Sequence, residues 1–194
     1  METPALELFL HVRVLIGVIL GLSVTRLLNG LARFAEHPRL RIAWWVHVGW
    51  VLWALLSLVG FWWWEFRLIH LAEWTFGVYL FFFAYACSYF MVCSLLFPDN
   101  LQEYQDFQDY FLSRRRWIFG FMALSCVLDV GDTLLKGRSY FQHLGSPYIA
   151  HCVAFFAIAA IGATSRNPRV HAALVATALF LQAGYFFLMY DRIS

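Results

Sequence analysis

The chain is short of charge. Asp, Glu, Lys and Arg make up 13% of its 194 residues, against about 25% in soluble domains. The net charge of +2 is spread over scattered loop positions, so no basic face forms and nucleic acid is not an expected partner. There are four cysteines, Cys87, Cys93, Cys126 and Cys152, none at CxxC spacing and each inside a hydrophobic run. That pattern gives no zinc knot, and it predicts small packing residues rather than disulfides. The motifs GxSxG, GxGxxG and HExxH and the P-loop are all missing. Also missing are an internal repeat of the inverted-transporter kind and a low-complexity segment. Met1 to Leu10 carries neither a positive n-region nor an A-x-A site, so the first hydrophobic run is expected to remain as a span.

Apolar side chains are abundant. Hydrophobic residues make up 62% of the chain and aromatics 20%, with 9 Trp and 20 Phe. A soluble fold of this length could not hide that much apolar surface, and Trp and Tyr favour the membrane–water boundary. A span needs roughly 20 mostly apolar residues. Six runs qualify: 6–34, 42–64, 71–97, 117–136, 144–164 and 170–190. The expected fold is all-α: a polytopic integral membrane bundle of six transmembrane helices, one domain over 1–194, with the lipid bilayer as its first partner. Only Glu65 to His70 joins the second and third runs, so these are expected to pair tightly and antiparallel.

Orientation follows from Lys and Arg. The first, third and fifth loops hold eight: Arg33, Arg39, Arg41, Arg114, Arg115, Arg116, Arg166 and Arg169. The other side holds four: Arg67, Lys136, Arg138 and Arg192. The positive-inside rule then puts both termini on the non-cytoplasmic side of a cell inner membrane. The block Phe61-Trp62-Trp63-Trp64 reads as an interfacial belt. The third loop reads as an amphipathic helix over about 99–113, capped by Asp99 or Asn100, with Leu101, Tyr104, Phe107 and Phe111 at helical spacing.

Ionisable groups within spans are costly and mark function by default. In the first run His11, Arg26, Asn29 and Arg33 fall within about 60° of one another at 100° per residue. Gly17 and Gly21 form a GxxxG step on another face beside Arg13, so this helix is expected to be central. The fourth run carries Ser125, Asp129, Asp132, Thr133 and Lys136 on one face. Lys136 follows Asp132 by four residues and is expected to pair with it. Asp129 lacks such a local partner; His11 and Arg13 are the expected ones. Glu65, Glu73 and Asp191 stand at the outer boundary.

The leading functional expectation is a transport-like or channel-like protein with a buried polar pathway centred on Asp129. Asp132, Arg13, His11, His151 and Gln182, with Tyr185, line its outer half, and Arg26 and Asn29 its inner half. The alternative is a non-catalytic subunit or sensor that docks a partner protein through Glu103, Asp106 and Asp109. Further behind stands a haem held by His11 with His151 or by His47 with His171, or a metal held by His11, Asp129 and His151. No catalytic residue is assigned, and no cofactor is the leading expectation. A homo-oligomer or a partner membrane protein suits so small a bundle. Small six-span bacterial potassium channels carry an Arg and then Phe-Ser-Asp-Gly in the first helix. Here Arg13 is followed by Leu22-Ser23-Val24-Thr25, so no residue role carries over.

Overall fold

The structure is a computed structural model that describes residues 4–36, 44–71, 74–100 and 102–189. Arg39, Arg41, Glu73, Leu101, Asp191 and Arg192 lie outside the described residues. Among the described residues there are six α-helices: α1 (Pro4–Glu36), α2 (Trp45–Trp64), α3 (Phe76–Leu96), α4 (Phe107–Leu135), α5 (Arg138–Thr164) and α6 (Pro168–Met189). A 3₁₀ segment, Glu65–His70, follows α2. Each helix is long and apolar enough to span a membrane. Even α2, with 20 residues, covers about 30 Å at 1.5 Å per residue. The all-helical outcome is what an apolar solvent enforces, because each backbone N–H and C=O must be satisfied within its own segment. Residues such as Val14, Val59, Phe180 and Phe187 stand exposed on the outside of the bundle, as lipid-facing side chains do.

Neighbouring helices run in the order α1, α3, α4, α5, α6, α2 and back to α1, with α2 also touching α3 and α4. More than half of the apolar window of α2 is buried, against about a third in the other helices. The central helix is therefore α2 and not α1. Its small residues Gly49, Ala54, Ser57 and Gly60 and its apolar circumference suit all-round packing. The stripe on α1 expected to meet protein turns mostly outward: His11, Asn29 and Arg33 are exposed and Arg26 is half-buried, while Phe9, Val12, Ile16 and Leu27 pack inward. The GxxxG step does not receive a neighbouring backbone, since Gly17 meets the Trp62 ring and Gly21 faces open space. The close approach of α1 to α3 is at Gly30, where a Cβ would run into the Phe97 ring.

Three further expectations change. α2 and α3 touch, but α3 packs chiefly on α1 and α4, and the 3₁₀ segment ends at an extended Leu71. The amphipathic helix over 99–113 is not a separate element, because helix begins at Phe107 and runs unbroken into the span. Asp106, not Asp99 or Asn100, is its cap: the Asp109 N–H donates to Asp106 Oδ1 at 2.8 Å. α5 starts at Arg138 and is broken at Gly145 (φ 61°), two residues before Pro147.

One end of the bundle is closed by rings. Near Phe107 lie Phe34, with ring centroids 4.7 Å apart, and His47, at 4.9 Å. Deeper, His171 packs 5.4 Å from Phe111 and 5.5 Å from Phe119, and Phe119 meets Trp50 at 5.1 Å. We call this the Phe107 end and the opposite one the Glu65 end.

Candidate functional site: a carboxylate chamber

α4 turns Met122, Ser125, Cys126 and Asp129 to one side, the i, i+3, i+4, i+7 spacing of a single helix face. These residues line a cavity of about 80 Å³ in the half of the bundle nearer the Glu65 end. Helices α2, α3, α5 and α6 complete the wall, and Trp64, the last residue of α2, takes the cavity to that end. A single buried water needs roughly 10–15 Å³ of such space, so the chamber has room for several waters or a small solute.

Asp129 is its charged centre. Tyr85 donates to Asp129 Oδ1 at 2.9 Å, and Tyr148 donates to Oδ2 at 2.8 Å. The Cys152 thiol lies 4.0 Å from Oδ2. Thr133 in turn donates to the Tyr148 hydroxyl at 3.0 Å. Tyr148 follows the break at Gly145 and Pro147, so an irregularity in α5 sits one turn from the residue that holds the carboxylate. The α3–α4 seam is fastened below by Ser88 and Ser125, whose hydroxyls are 2.9 Å apart, a hydrogen bond of the kind that joins membrane helices.

Beyond Asp129, towards the Glu65 end, lies an ion cluster. Lys136 Nζ is 2.7 Å from Asp132 and 3.3 Å from Glu65, with side-chain exposures of 3%, 0% and 7% respectively. Lys136 also donates to the Trp64 carbonyl at 3.3 Å. The expected Asp132–Lys136 pair is present, and Glu65 joins it from the end of α2. Asp132 Oδ1 and Glu65 Oε2 are buried with no hydrogen-bond partner among the described residues. Glu65, Asp129 and Asp132 together set three carboxyl groups against one ammonium. In a low-dielectric interior such an excess of carboxyl groups binds protons or a cation.

Of the other residues named from sequence, His151 and Gln182 line the chamber with Asp129. His151 stacks on Tyr185 with centroids 4.2 Å apart. The structure does not bring the α1 residues there. His11 is exposed and stacks on Tyr79 at 6.3 Å. Arg13 lies over the Phe66 ring at 4.7 Å and the Trp62 ring at 5.7 Å. Arg26 pairs with Asp99 at 2.7 Å and donates to the Phe97 carbonyl at 2.9 Å, tying α1 to the end of α3. That guanidinium, through its hydrogen bond and its charge, holds the Asp99 carboxyl below the usual aspartate range. Asn29 is exposed. Phenols, not His11 and Arg13, are therefore the partners of Asp129.

The histidine readings also change. His47 Nε2 lies 2.6 Å from the Leu96 carbonyl and His171 Nε2 3.0 Å from the Ser165 carbonyl, so each ring ties its helix to the end of another. Phe111 packs against both rings, at 6.4 and 5.4 Å, and a macrocycle does not fit between them. His11 on α1 does not join Asp129 and His151, and among the described residues no three His, Cys, Asp or Glu side chains converge as a metal site. In the third loop Arg114 donates to the Tyr104 hydroxyl at 2.7 and 2.9 Å, and Asp106 and Asp109 serve the start of α4.

The sequence reading missed Tyr85, Tyr148, Ser57 and the two chamber cysteines as site residues, and it placed Glu65 at the outer boundary without pairing it with Lys136. The Gly145-Ser146-Pro147-Tyr148 stretch was the available signal, since a glycine and a proline inside an apolar run mark a break with a structural purpose. No protein-family model matches the sequence, and neither a curated protein nor a solved structure matches it.

Proposed function

We propose that this chain is a small multi-pass membrane protein of transport-like character, in which Asp129 is the exchangeable charge of a one-sided chamber. The observation that carries the reading is a carboxylate inside the bundle, held by two phenols and facing a cavity large enough for a solute. Intramembrane carboxylates of this kind mark ion or proton pathways. The adjoining cluster with one ammonium for three carboxyl groups gives the site a standing affinity for positive charge. The aromatic layer at the Phe107 end makes the path discontinuous in this state. Passage therefore requires a rearrangement, as in alternating access, and not an open pore. By the charge bias of the loops, the chamber faces the non-cytoplasmic side of an inner membrane.

The test is flux in proteoliposomes that enclose a pH-sensitive dye. With sodium, potassium or a small organic ammonium salt added outside at equal starting pH, wild type should release protons faster than protein-free vesicles with at least one of these cations. Asp129→Asn should return the rate to the protein-free level, while Arg13→Gln, away from the chamber, should leave it unchanged. Equal rates for wild type and Asp129→Asn would refute the assignment of Asp129.

A further inference from the structure

Eight of the seventeen residues that line the chamber are Phe, Trp or Tyr, and that feature narrows what the carboxylate is for. On the side of α2 and α3, Phe61 packs 4.7 Å from Tyr85 and 5.1 Å from Tyr89. On the side of α2 and α5, Trp53 stacks 5.7 Å from Phe155. All of these rings line the same cavity as Asp129. A carboxylate among aromatic rings is the chemistry that recognises an organic cation, because the ring quadrupole attracts a weakly hydrated ammonium. A hard metal ion takes six or more oxygen ligands, and among the described residues no three His, Cys, Asp or Glu side chains converge to supply the charged ones.

The unsatisfied polar atoms agree. Ser57 Oγ, His151 Nε2 and Trp53 Nε1 are buried on residues that line the cavity and have no hydrogen-bond partner among the described residues, although the His151 ring also interacts with the Gln182 side chain. Buried polar atoms in native proteins are nearly always paired, so such a set is filled when a ligand or water is bound. Ser57 Oγ accepts, His151 Nε2 accepts in the Nδ1-protonated tautomer, and Asp129 keeps lone pairs beyond the two that the phenols use. An ammonium group has N–H donors only, which matches those three acceptors.

We infer that the chamber binds a small organic ammonium ion, with Asp129 as its counter-charge, Ser57 and His151 as further acceptors, and Phe61, Tyr85 and Trp53 as its aromatic cage. The inference rests on the chamber reading above and specifies its ligand.

Cys152, beside Asp129, supplies the readout. In purified protein with Cys87→Ala, Cys93→Ala and Cys126→Ala, the rate of modification of Cys152 by methyl methanethiosulfonate is followed with ethylammonium, sodium or ethanol present. Ethylammonium should slow modification at least about threefold, and equal concentrations of sodium and ethanol should not. Asp129→Asn should raise the half-protecting concentration about tenfold to a hundredfold, the share of a charge-assisted contact. Phe61→Leu should raise it roughly threefold to thirtyfold, and it keeps the test open if Asp129→Asn does not fold. Modification at an unchanged rate with ethylammonium, or equal protection by ethanol, would overturn the ligand class and leave the chamber standing. A Cys152 that reacts only after unfolding would overturn both.

Discussion

Lys136→Met should be among the most damaging single changes in the protein. The ammonium has two carboxylate neighbours, at 2.7 and 3.3 Å, and all three side chains are almost fully buried. Removing one member of a buried ion pair leaves uncompensated charge and costs about 3–5 kcal/mol. Membrane-buried neutral hydrogen bonds average only about 0.6 kcal/mol, so the two explanations of the contact are well separated. The assay is reversible unfolding by SDS titration, with folded protein followed by gel filtration and far-UV circular dichroism. A loss of about 3–5 kcal/mol is roughly a hundredfold to several thousandfold in the folding equilibrium. The triple change Glu65→Gln, Asp132→Asn and Lys136→Met removes every charge together. Because Asp132 Oδ1 and Glu65 Oε2 are already unpartnered, little is lost, and the triple variant should recover to within about 1 kcal/mol of wild type. A Lys136→Met loss below about 1 kcal/mol, or a triple variant worse than the single one, would refute the argument.

Gly30→Ala should destabilise by about 1–3 kcal/mol, the range for overpacking, because its Cβ would enter the Phe97 ring; the same titration measures it. Gly145→Ala forces a side chain onto a backbone at φ 61°, ψ −153° and should cost about 1–3 kcal/mol. It should also weaken the Tyr148–Asp129 contact, seen as a change in the infrared carboxyl band that Asp129→Asn abolishes. The Arg26–Asp99 bridge should show acid lability. Asp99 is depressed in the folded state, so the bridge contributes fully above the ordinary aspartate range and fades as pH falls through the lowered value. The stability difference between wild type and Asp99→Asn should therefore close on acidification, and a pH-independent difference would contradict the pairing.

The six spans were legible because hydropathy reports the solvent directly: a 20-residue apolar run has few other folds in lipid. The Asp132–Lys136 pair was legible because i, i+4 spacing alone places those groups together. Boundaries failed where polar residues belong to a helix that extends past the apolar core, as Phe107 to Arg116 does in α4. The choice of α1 as the centre failed because a polar stripe does not say which way it faces. His11 and Asn29 turn outward, and the uniformly apolar α2 takes the centre. The partners of Asp129 were out of reach for a related reason. Tyr85 and Tyr148 come from α3 and α5, 44 and 19 residues away, and only the packing order sets them beside the carboxylate.

The most direct test of the central claim is the sidedness of the chamber. Asp129→Cys, in protein with Cys87, Cys93, Cys126 and Cys152 replaced by Ala, is reconstituted in sealed vesicles and treated with a small membrane-impermeant thiol reagent from one side at a time. Ser139→Cys at the Glu65 end and Ser113→Cys towards the Phe107 end, both at exposed positions, report which side is which. Cys at 129 should react from the side that labels Cys at 139 and stay protected from the side that labels Cys at 113. Protection from both sides, or reaction only from the side of Cys at 113, would contradict a chamber that opens at the Glu65 end and is closed by the aromatic layer.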